Sequence, residues 1–465
     1  MDKNAFRITV LGAGISGLTT AYWLDKEGYA VRILEFNDEP GGSMETIAED
    51  KFLIDFGPNS GLETTPLISQ LAEEVGLKDE MIYASEESDK RYILKHGELH
   101  ALPTSPPAFV KTKLFSTTAK LRVMGEPFVG KSEDGYYQSI ADFVTRRLGK
   151  EFLDYAIDPF VSGVFAGDPH KLSVKSAFPK LYRLEELYGG LVKGMIKGAR
   201  ERKKRAEKSK QNARMFSFSN GMQTFPKAIA DKLENKVIYN SKVLEIRSLA
   251  DAYEIIYFQD GQQKFIHSDV VLSTIPAHRA KNIFEKYDPT LYEHFESIYY
   301  PAVIVLYVGF NRKDIGRPLD GFGYLIPSKE KKTYLGAIWS STIFPNRSDD
   351  ETAAFTIFIG GAKAPRGFAD DKEELIKDVI NQFKETMKIF ADPVTVKHRM
   401  WDKAIPQYNL GYIEHERYFE EFEKNNPGLF LSGNYRGGIS VGDCVKNSEL
   451  VADKIKTYIN NKIYK

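Results

Sequence analysis

The sequence predicts an α/β fold combined with α+β parts, and three observations predict it. A strand, a glycine-rich turn and a helix open the chain in "RITVLGAGISGLTTAYWLDKEGYAVRILE". The same order returns near its end in "LFLSGNYRGGISVGDCVKNSELVADKI", with a strand over Leu429–Ser432 and a helix from about Asp443. Between them lie helical patterns and then a series of short strands with turn signals.

The opening elements follow one another closely. Ile8 to Leu11 is an apolar, β-branched strand, and Leu18 to Lys26 reads as a helix. Between them stand Gly12, Ala13, Gly14, Ile15, Ser16 and Gly17. Val31 to Leu34 is a second strand, and it ends in Glu35. Strand, G-x-G-x-x-G, helix, strand and acid together form the dinucleotide fingerprint in context, whereas the glycines alone would be an ordinary tight turn. Gly12 serves the turn, Gly14 the approach of a pyrophosphate and Gly17 the close packing of the helix. Glu35 would accept from ribose hydroxyls. The fingerprint does not separate NAD from FAD. A second glycine pair, Gly41-Gly42, precedes a strand over Phe52–Phe56, and Gly57-Pro58-Asn59 then turns the chain. A second backbone touch on the diphosphate fits FAD, although Gly41-Gly42 alone would read as a hairpin turn.

Composition bounds the rest. At 465 residues, 42% hydrophobic and 28% charged, the chain can hold two or three ordinary globular domains. Lys plus Arg and Asp plus Glu both number 64, and this zero net charge argues against nucleic acid as the main partner. The single cysteine excludes an internal disulfide framework and suits a reducing compartment, so a cytoplasmic location is expected. Met1 to Phe6 is short and polar, unlike a signal peptide. The longest apolar run, "PAVIVLYVGF" from Pro301, is far below the ~20 residues of a membrane helix and reads as a buried strand. The eight histidines are scattered, so no metal is expected.

Further stretches carry a resemblance. "GPNS" at Gly57, "KRYILKHGELHALP" at Lys90, "LFSTTAKLRVMGEPF" at Leu114 and "SGVFAGDPHKLSVKSAFPKLY" at Ser162 are similar to the protoporphyrinogen oxidase family of the flavin-containing amine oxidase superfamily. "SFSNGMQTFPKAI" at Ser217, "DGFGYLIP" at Asp320, "MWDKAIPQYNLGY" at Met400 and "GNYRGGISVGDC" resemble it too. The resemblance implies a Rossmann-like FAD-binding domain of the amine oxidase type with an inserted substrate domain of mixed sheet and helices. Residues 1–85, 211–276 and 396–465 would form the FAD domain, 86–210 a helical insertion facing substrate or membrane, and 277–395 the substrate-binding sheet.

It also implies why two glycine-rich starts are needed: both ends of the chain meet on one FAD. The first start, with Glu35, Phe36, Gly42 and Ser43, would hold the pyrophosphate and adenosine, with Val243 at the adenine end. Gly433, Ile439, Ser440 and Val441 would face the pyrimidine edge of the flavin ring. There a helix N-terminus of roughly +0.5 charge stabilises the anion left after hydride transfer. Gly57, Pro58, Asn59, Ser60 and Trp401 would line the flavin. On the substrate side the resemblance assigns Arg91 to a propionate, Phe322 and Leu325 to the walls of the macrocycle, and Gly163 and Asn59 to its neighbourhood. The bland readings are a solvated arginine, strand core, a helix break and a turn residue. Ser43 departs from the larger residue common in relatives.

The implied activity is oxidation of a porphyrinogen to a porphyrin in haem biosynthesis, by hydride transfer to flavin with oxygen as acceptor. No strong base is required, in keeping with the absence of any His or paired-carboxylate constellation. FAD is expected to be non-covalent, because no cysteine stands in "PQYNLGY" where some relatives attach it. Cys444 reads as a small buried residue. The substrate reading leans to protoporphyrinogen IX, since only Arg91 is placed in the cavity, with coproporphyrinogen III as the alternative. A flavin amine oxidase or desaturase, and a non-catalytic escort-type binding protein, share the fold. The basic run Lys197–Arg214 reads as a solvated face, with anionic lipid on the inner face of a membrane as the sharper alternative. Oligomeric state, including a dimer, stays open.

Overall fold

The computed structural model describes residues 6–132, 137–197 and 213–463. Its first sheet has five parallel strands: β1 (Arg7–Leu11), β2 (Ala30–Leu34), β3 (Val237–Ile238), β4 (Val270–Ser273) and β5 (Leu429–Leu431). They lie in the order β3-β2-β1-β4-β5. All four residues of β4 are buried, as expected for a parallel strand covered on both faces. Helix α1 (Ile15–Lys26) follows β1, and helix α2 (Val441–Ile463) follows β5. The two share one core, where Leu18, Ala21 and Leu24 of α1 meet Val445, Ala452 and Ile455 of α2. The Ser448 hydroxyl of α2 donates to Ser16 O of α1 at 3.0 Å.

The second sheet has seven strands. Val303–Asn311, the strand read from the run at Pro301, is buried at its first eight positions and pairs with Thr352–Gly360 and Thr395–Trp401. Helix Lys372–Met387 covers one face with Val379, Phe383 and Met387. The sheet is mixed, because Gly321–Leu325 runs parallel to Lys90–Lys95 and antiparallel to Tyr334–Ile338. Three of its strands lie wholly or almost wholly outside the stretch 277–395. Lys90–Lys95 and Glu98–Ala101 fall within the segment expected to be helical, and Thr395–Trp401 sits where the chain was expected to have returned to the first domain. The reason is that Lys90–Lys95 pairs across some two hundred residues of chain. Its alternation, Tyr92 and Leu94 to one core and Ile93 to another, is too short to stand out beside the prolines that follow it.

Between these strands the chain forms short helices, among them Ile140–Leu148, Asp158–Phe165 and Pro179–Tyr188. A buried ion triad joins them. Arg147, fully buried, pairs with Glu126 at 2.5 Å and with Glu185, and the Glu126 carboxylate also accepts from Leu191 N and Val192 N. Most of the basic run Lys197–Arg214 lies outside the described residues. No helix of the described residues is long and apolar enough to cross a membrane.

Candidate functional site

At the first glycine start each glycine has a separate reason. Gly12 has φ +100°, a left-handed value that favours glycine. A Cβ on Gly17 would clash with Gly12 O, so α1 approaches β1 only because this side chain is missing. A Cβ on Gly14 would meet nothing within 4 Å. Packing therefore explains Gly12 and Gly17 but not Gly14, whose outer face is open to a ligand. The adjoining N-terminus of α1 favours an anion there. Ala13, Ile15 and Ser16 are buried beneath it.

Glu35 is 5% exposed, and its carboxylate accepts from Ala13 N at 2.6 Å and Asn37 N at 2.9 Å. Each carboxylate oxygen keeps a lone pair for a further donor. Ser241 N donates to Glu35 O at 2.7 Å, which brings Val243 to the same end of the loop. Phe36 is exposed, with the Arg279 guanidinium 5.6 Å from its ring centroid.

The second glycine pair touches the first. Gly41 N donates to Ala13 O at 2.9 Å, and a Cβ on Gly42 would lie 3.4 Å from Gly14 Cα. A Cβ on Gly57 would clash with Ser43 O. Gly14, Gly42, Ser43 and Gly57 thus form a continuous backbone shelf that leads to Pro58, Asn59 and Ser60. The Asn59 amide donates to Asp55 O at 2.9 Å, while its Oδ1 is buried and has no hydrogen-bond partner among the described residues. Trp401 Nε1 donates to Phe56 O at 2.8 Å, fixing the indole at this turn. Beneath it, burial pushes the Asp55 carboxyl up, while Arg347 at 3.2 Å, the Thr46 hydroxyl and Met222 N pull it back. Sequence reasoning missed this pair, since a lone Asp and a lone Arg nearly three hundred residues apart give no signal.

The C-terminal start is built differently. Gly433, Gly437 and Gly438 have φ of +128°, +79° and +130°. The Ser440 hydroxyl accepts from Asp443 N at 3.1 Å and caps α2, and Ile439 packs on the core. Asp443 works against an anion at this terminus, but the Ser440 hydroxyl bonds its carboxylate at 2.6 Å. Ser16 in the first turn of α1 meets Cys444 in the first turn of α2 and Ser448 two turns into it, so α2 runs past the N-terminus of α1. Cys444 is buried there, and burial pushes its thiol up to about 11, which leaves it inert as a nucleophile.

On the second sheet, pairing steps from Gly321–Lys90 to Gly323–Arg91 and leaves Phe322 as an extra residue. This bulge brings Phe322 to the Arg91 side, with the exposed guanidinium 5.4 Å from its ring centroid. Leu325 points to the same side, since its register partner Ile93 lies in the core it packs against. A Cβ on Gly163 would press on Leu325 Cδ2, the movable end of that side chain. Arg91, Phe322, Leu325 and Gly163 are thus brought together on one face.

Comparison with known proteins agrees with this geometry. The model of the flavin containing amine oxidoreductase family matches residues 15–456. Protoporphyrinogen oxidase 2, chloroplastic/mitochondrial, of Arabidopsis thaliana is 32% identical, over 98% of this chain and 94% of the relative. Coproporphyrinogen III oxidase of Staphylococcus aureus is 28% identical, over 96% of this chain and 98% of the relative. Among solved structures, reduced UDP-galactopyranose mutase superposes with a TM-score of 0.75 at 16% identity, over 97% of this chain and 94% of that one. That last likeness speaks to the fold alone. With the family model spanning nearly the whole chain, from the first helix to the last, this chain belongs to the flavin-containing amine oxidoreductase family.

Proposed function

We propose that the chain is an FAD-dependent oxidase that converts a porphyrinogen to a porphyrin in haem biosynthesis. One observation carries the reading: similarity to porphyrinogen oxidases of two kinds runs over nearly the full chain, substrate side included, and not over the fingerprint alone. Bound non-covalently, FAD supplies a hydride acceptor that oxygen can reoxidise, over three two-electron steps.

In this reading the protein binds and orients. Gly14, Gly42 and Ser43 hold the pyrophosphate, Glu35 the ribose, and Phe36 and Val243 flank the adenine end. The backbone from Gly57 to Ser60, with Trp401, supports the ring, and Gly433, Ile439, Ser440 and Val441 face its pyrimidine edge. Arg91 pairs with a propionate across the Phe322 ring, a charge-assisted contact suited to a guanidinium. Leu325 and Phe322 give the macrocycle apolar walls, with Gly163 and Asn59 at its margins. Proton loss from pyrrole nitrogens needs no strong base, and Asp55, the buried carboxyl beneath Trp401, is paired with Arg347. The FAD domain comprises 1–85, 211–276 and 396–465, around a helical insertion at 86–210 and a substrate sheet at 277–395 with the strand exchanges described above.

Protoporphyrinogen IX is the favoured substrate. Lys329 and Lys363, the nearby cations that could serve further propionates, are paired with Asp154 and Asp158. The insertion exposes Val110, Leu121, Met124 and Phe128, the last 92% exposed, and this supports peripheral contact with a membrane face. The test is direct. The purified protein should be yellow and should form porphyrin fluorescence aerobically, with higher kcat/KM for protoporphyrinogen IX than for coproporphyrinogen III. A colourless protein that rejects added FAD overturns the reading, and a preference for coproporphyrinogen III overturns the substrate.

A further inference from the structure

The C-terminal glycine turn contains three residues with left-handed φ, and glycine-rich backbone has little preference of its own. Something outside the turn must select its shape. Tyr408 and Tyr412, both 2% exposed, stand against it. The Tyr408 hydroxyl donates to Asn434 O at 2.6 Å and accepts from Gly438 N at 3.1 Å, bridging the turn at both ends. The Tyr412 hydroxyl donates to Tyr435 O at 2.6 Å, and the two rings lie 4.4 Å apart.

The tyrosines are themselves fixed from the other side. Ser173 N donates to Tyr408 O at 2.8 Å, and the neighbouring Gln407 amide donates to Phe165 O at 2.7 Å. Residues 407–412 therefore join the helical insertion to the glycine turn, and the phenols are the atoms that reach the turn. Burial keeps the Tyr408 phenol protonated, so it remains a donor to Asn434.

We propose that Tyr408 is a positioning residue for the flavin: its hydroxyl fixes the backbone amides of the Gly433–Ser440 turn in the direction that stabilises negative charge on the ring. This rests on the reading of that turn as facing the pyrimidine edge. A hydride brings two electrons and one proton, so the ring gains one negative charge, and amide dipoles aimed at it raise the potential. Without the hydroxyl, the Gly438 N–H and Asn434 C=O lose their shared partner and the dipoles relax.

The experiment compares Tyr408→Phe, Tyr412→Phe and Gly438→Ala with the parent in full-length, FAD-loaded protein. Tyr408→Phe should keep one FAD per chain. Its flavin midpoint potential should move negative, and flavin reduction at saturating porphyrinogen should slow about tenfold, with KM moved by less than about twofold. Tyr412→Phe, which removes one contact only, should act in the same direction and less. It carries the test if Tyr408→Phe does not fold. An unchanged potential and reduction rate in the tyrosine variants overturns the proposal, as does a folded Tyr408→Phe protein that has lost FAD, because the hydroxyl would then serve binding. Gly438→Ala separates the two readings, since its Cβ would press on Asp443 in the turn itself. If Gly438→Ala alters the flavin spectrum while the tyrosine variants do not, the turn faces the ring and Tyr408 is idle. If none of the three alters it, the placement of the turn is wrong as well.

Discussion

The two glycine-rich helix starts look alike in sequence and are made by different means. The N-terminal one is closed on itself. Gly17 packs on Gly12 O, Ala13 N is tied to Glu35, and Gly41 N reaches Ala13 O. These partners come from the first 41 residues, and the Thr274 and Ser448 hydroxyls add single bonds to Gly12 O and Ser16 O from later in the chain. The C-terminal start has three left-handed glycines and is held by side chains: Tyr408, Tyr412, the Ser440 cap and Asn447, whose amide donates to Arg436 O at 2.9 Å. A rigid, self-contained loop suits a task of pure holding. A turn whose shape is set from outside can be adjusted by its surroundings, which suits a task of electrostatic tuning.

The sharpest way to break this contrast is at two neighbouring glycines. Gly17→Val places atoms inside contact distance of backbone, where nothing can give, and should destabilise the folded protein by about 3 kcal/mol or more. Thermal unfolding checks it. Gly14→Val puts its side chain into open space and should leave the fold intact, yet it fills the place assigned to the pyrophosphate. FAD affinity should fall at least about a hundredfold, roughly 2.7 kcal/mol, read by flavin absorbance of the purified protein. A Gly14→Val protein with its full complement of flavin would show that the open face of this loop is not the cofactor's seat.

What was legible in the sequence follows the same division. β1, α1, β2 and Glu35 could be read because their contacts are local. The strand at Pro301 could be read because its apolar run is long. Lys90–Lys95 went unread although it forms a tight hairpin with Glu98–Ala101 through His96-Gly97, because its place in the second sheet comes from pairing with the distant Gly321–Leu325. The bulge at Phe322 has no local signature either. That Leu325 lies against the Cα of Gly163 is likewise a contact that only folding reveals. Tyr408 and Tyr412 sat in a stretch noted for its resemblance and for lacking a cysteine, not for its phenols. Their hydroxyls gain meaning from a turn some twenty-five residues later.

A change on the substrate face separates binding of substrate from both starts. The Arg91 guanidinium lies over Phe322 and touches neither glycine turn. Arg91→Ala should raise KM for either porphyrinogen about tenfold, the ~1.4 kcal/mol expected for one charge-assisted contact, and leave FAD content and flavin spectrum as they were. An unchanged KM removes Arg91 from the site, and a loss of flavin would mean that the two halves are coupled through the sheet.

The smallest expected effect tests the claim that side chains shape the second start. Ser440 caps α2 by accepting from Asp443 N, and its own proton goes to the Asp443 carboxylate. Ser440→Ala removes both bonds, and such a loss costs a helix about 1 kcal/mol. In a domain of this size that lowers Tm by roughly 2–4 °C. The consequence for the flavin should exceed what this stability change alone gives. Without the Ser440 hydroxyl dipole against it, the Asp443 carboxylate in the first turn of α2 opposes an anion on the ring more strongly. The reduced flavin should therefore be disfavoured, seen as a negative shift in midpoint potential, while the N-terminal seat still holds FAD. At the first start α1 has no side-chain cap to remove, since Gly14 stands at its N-cap. If Ser440→Ala shifts Tm but leaves the potential where it was, the cap serves stability alone, and the contrast between a holding start and a tuning start reduces to one of construction.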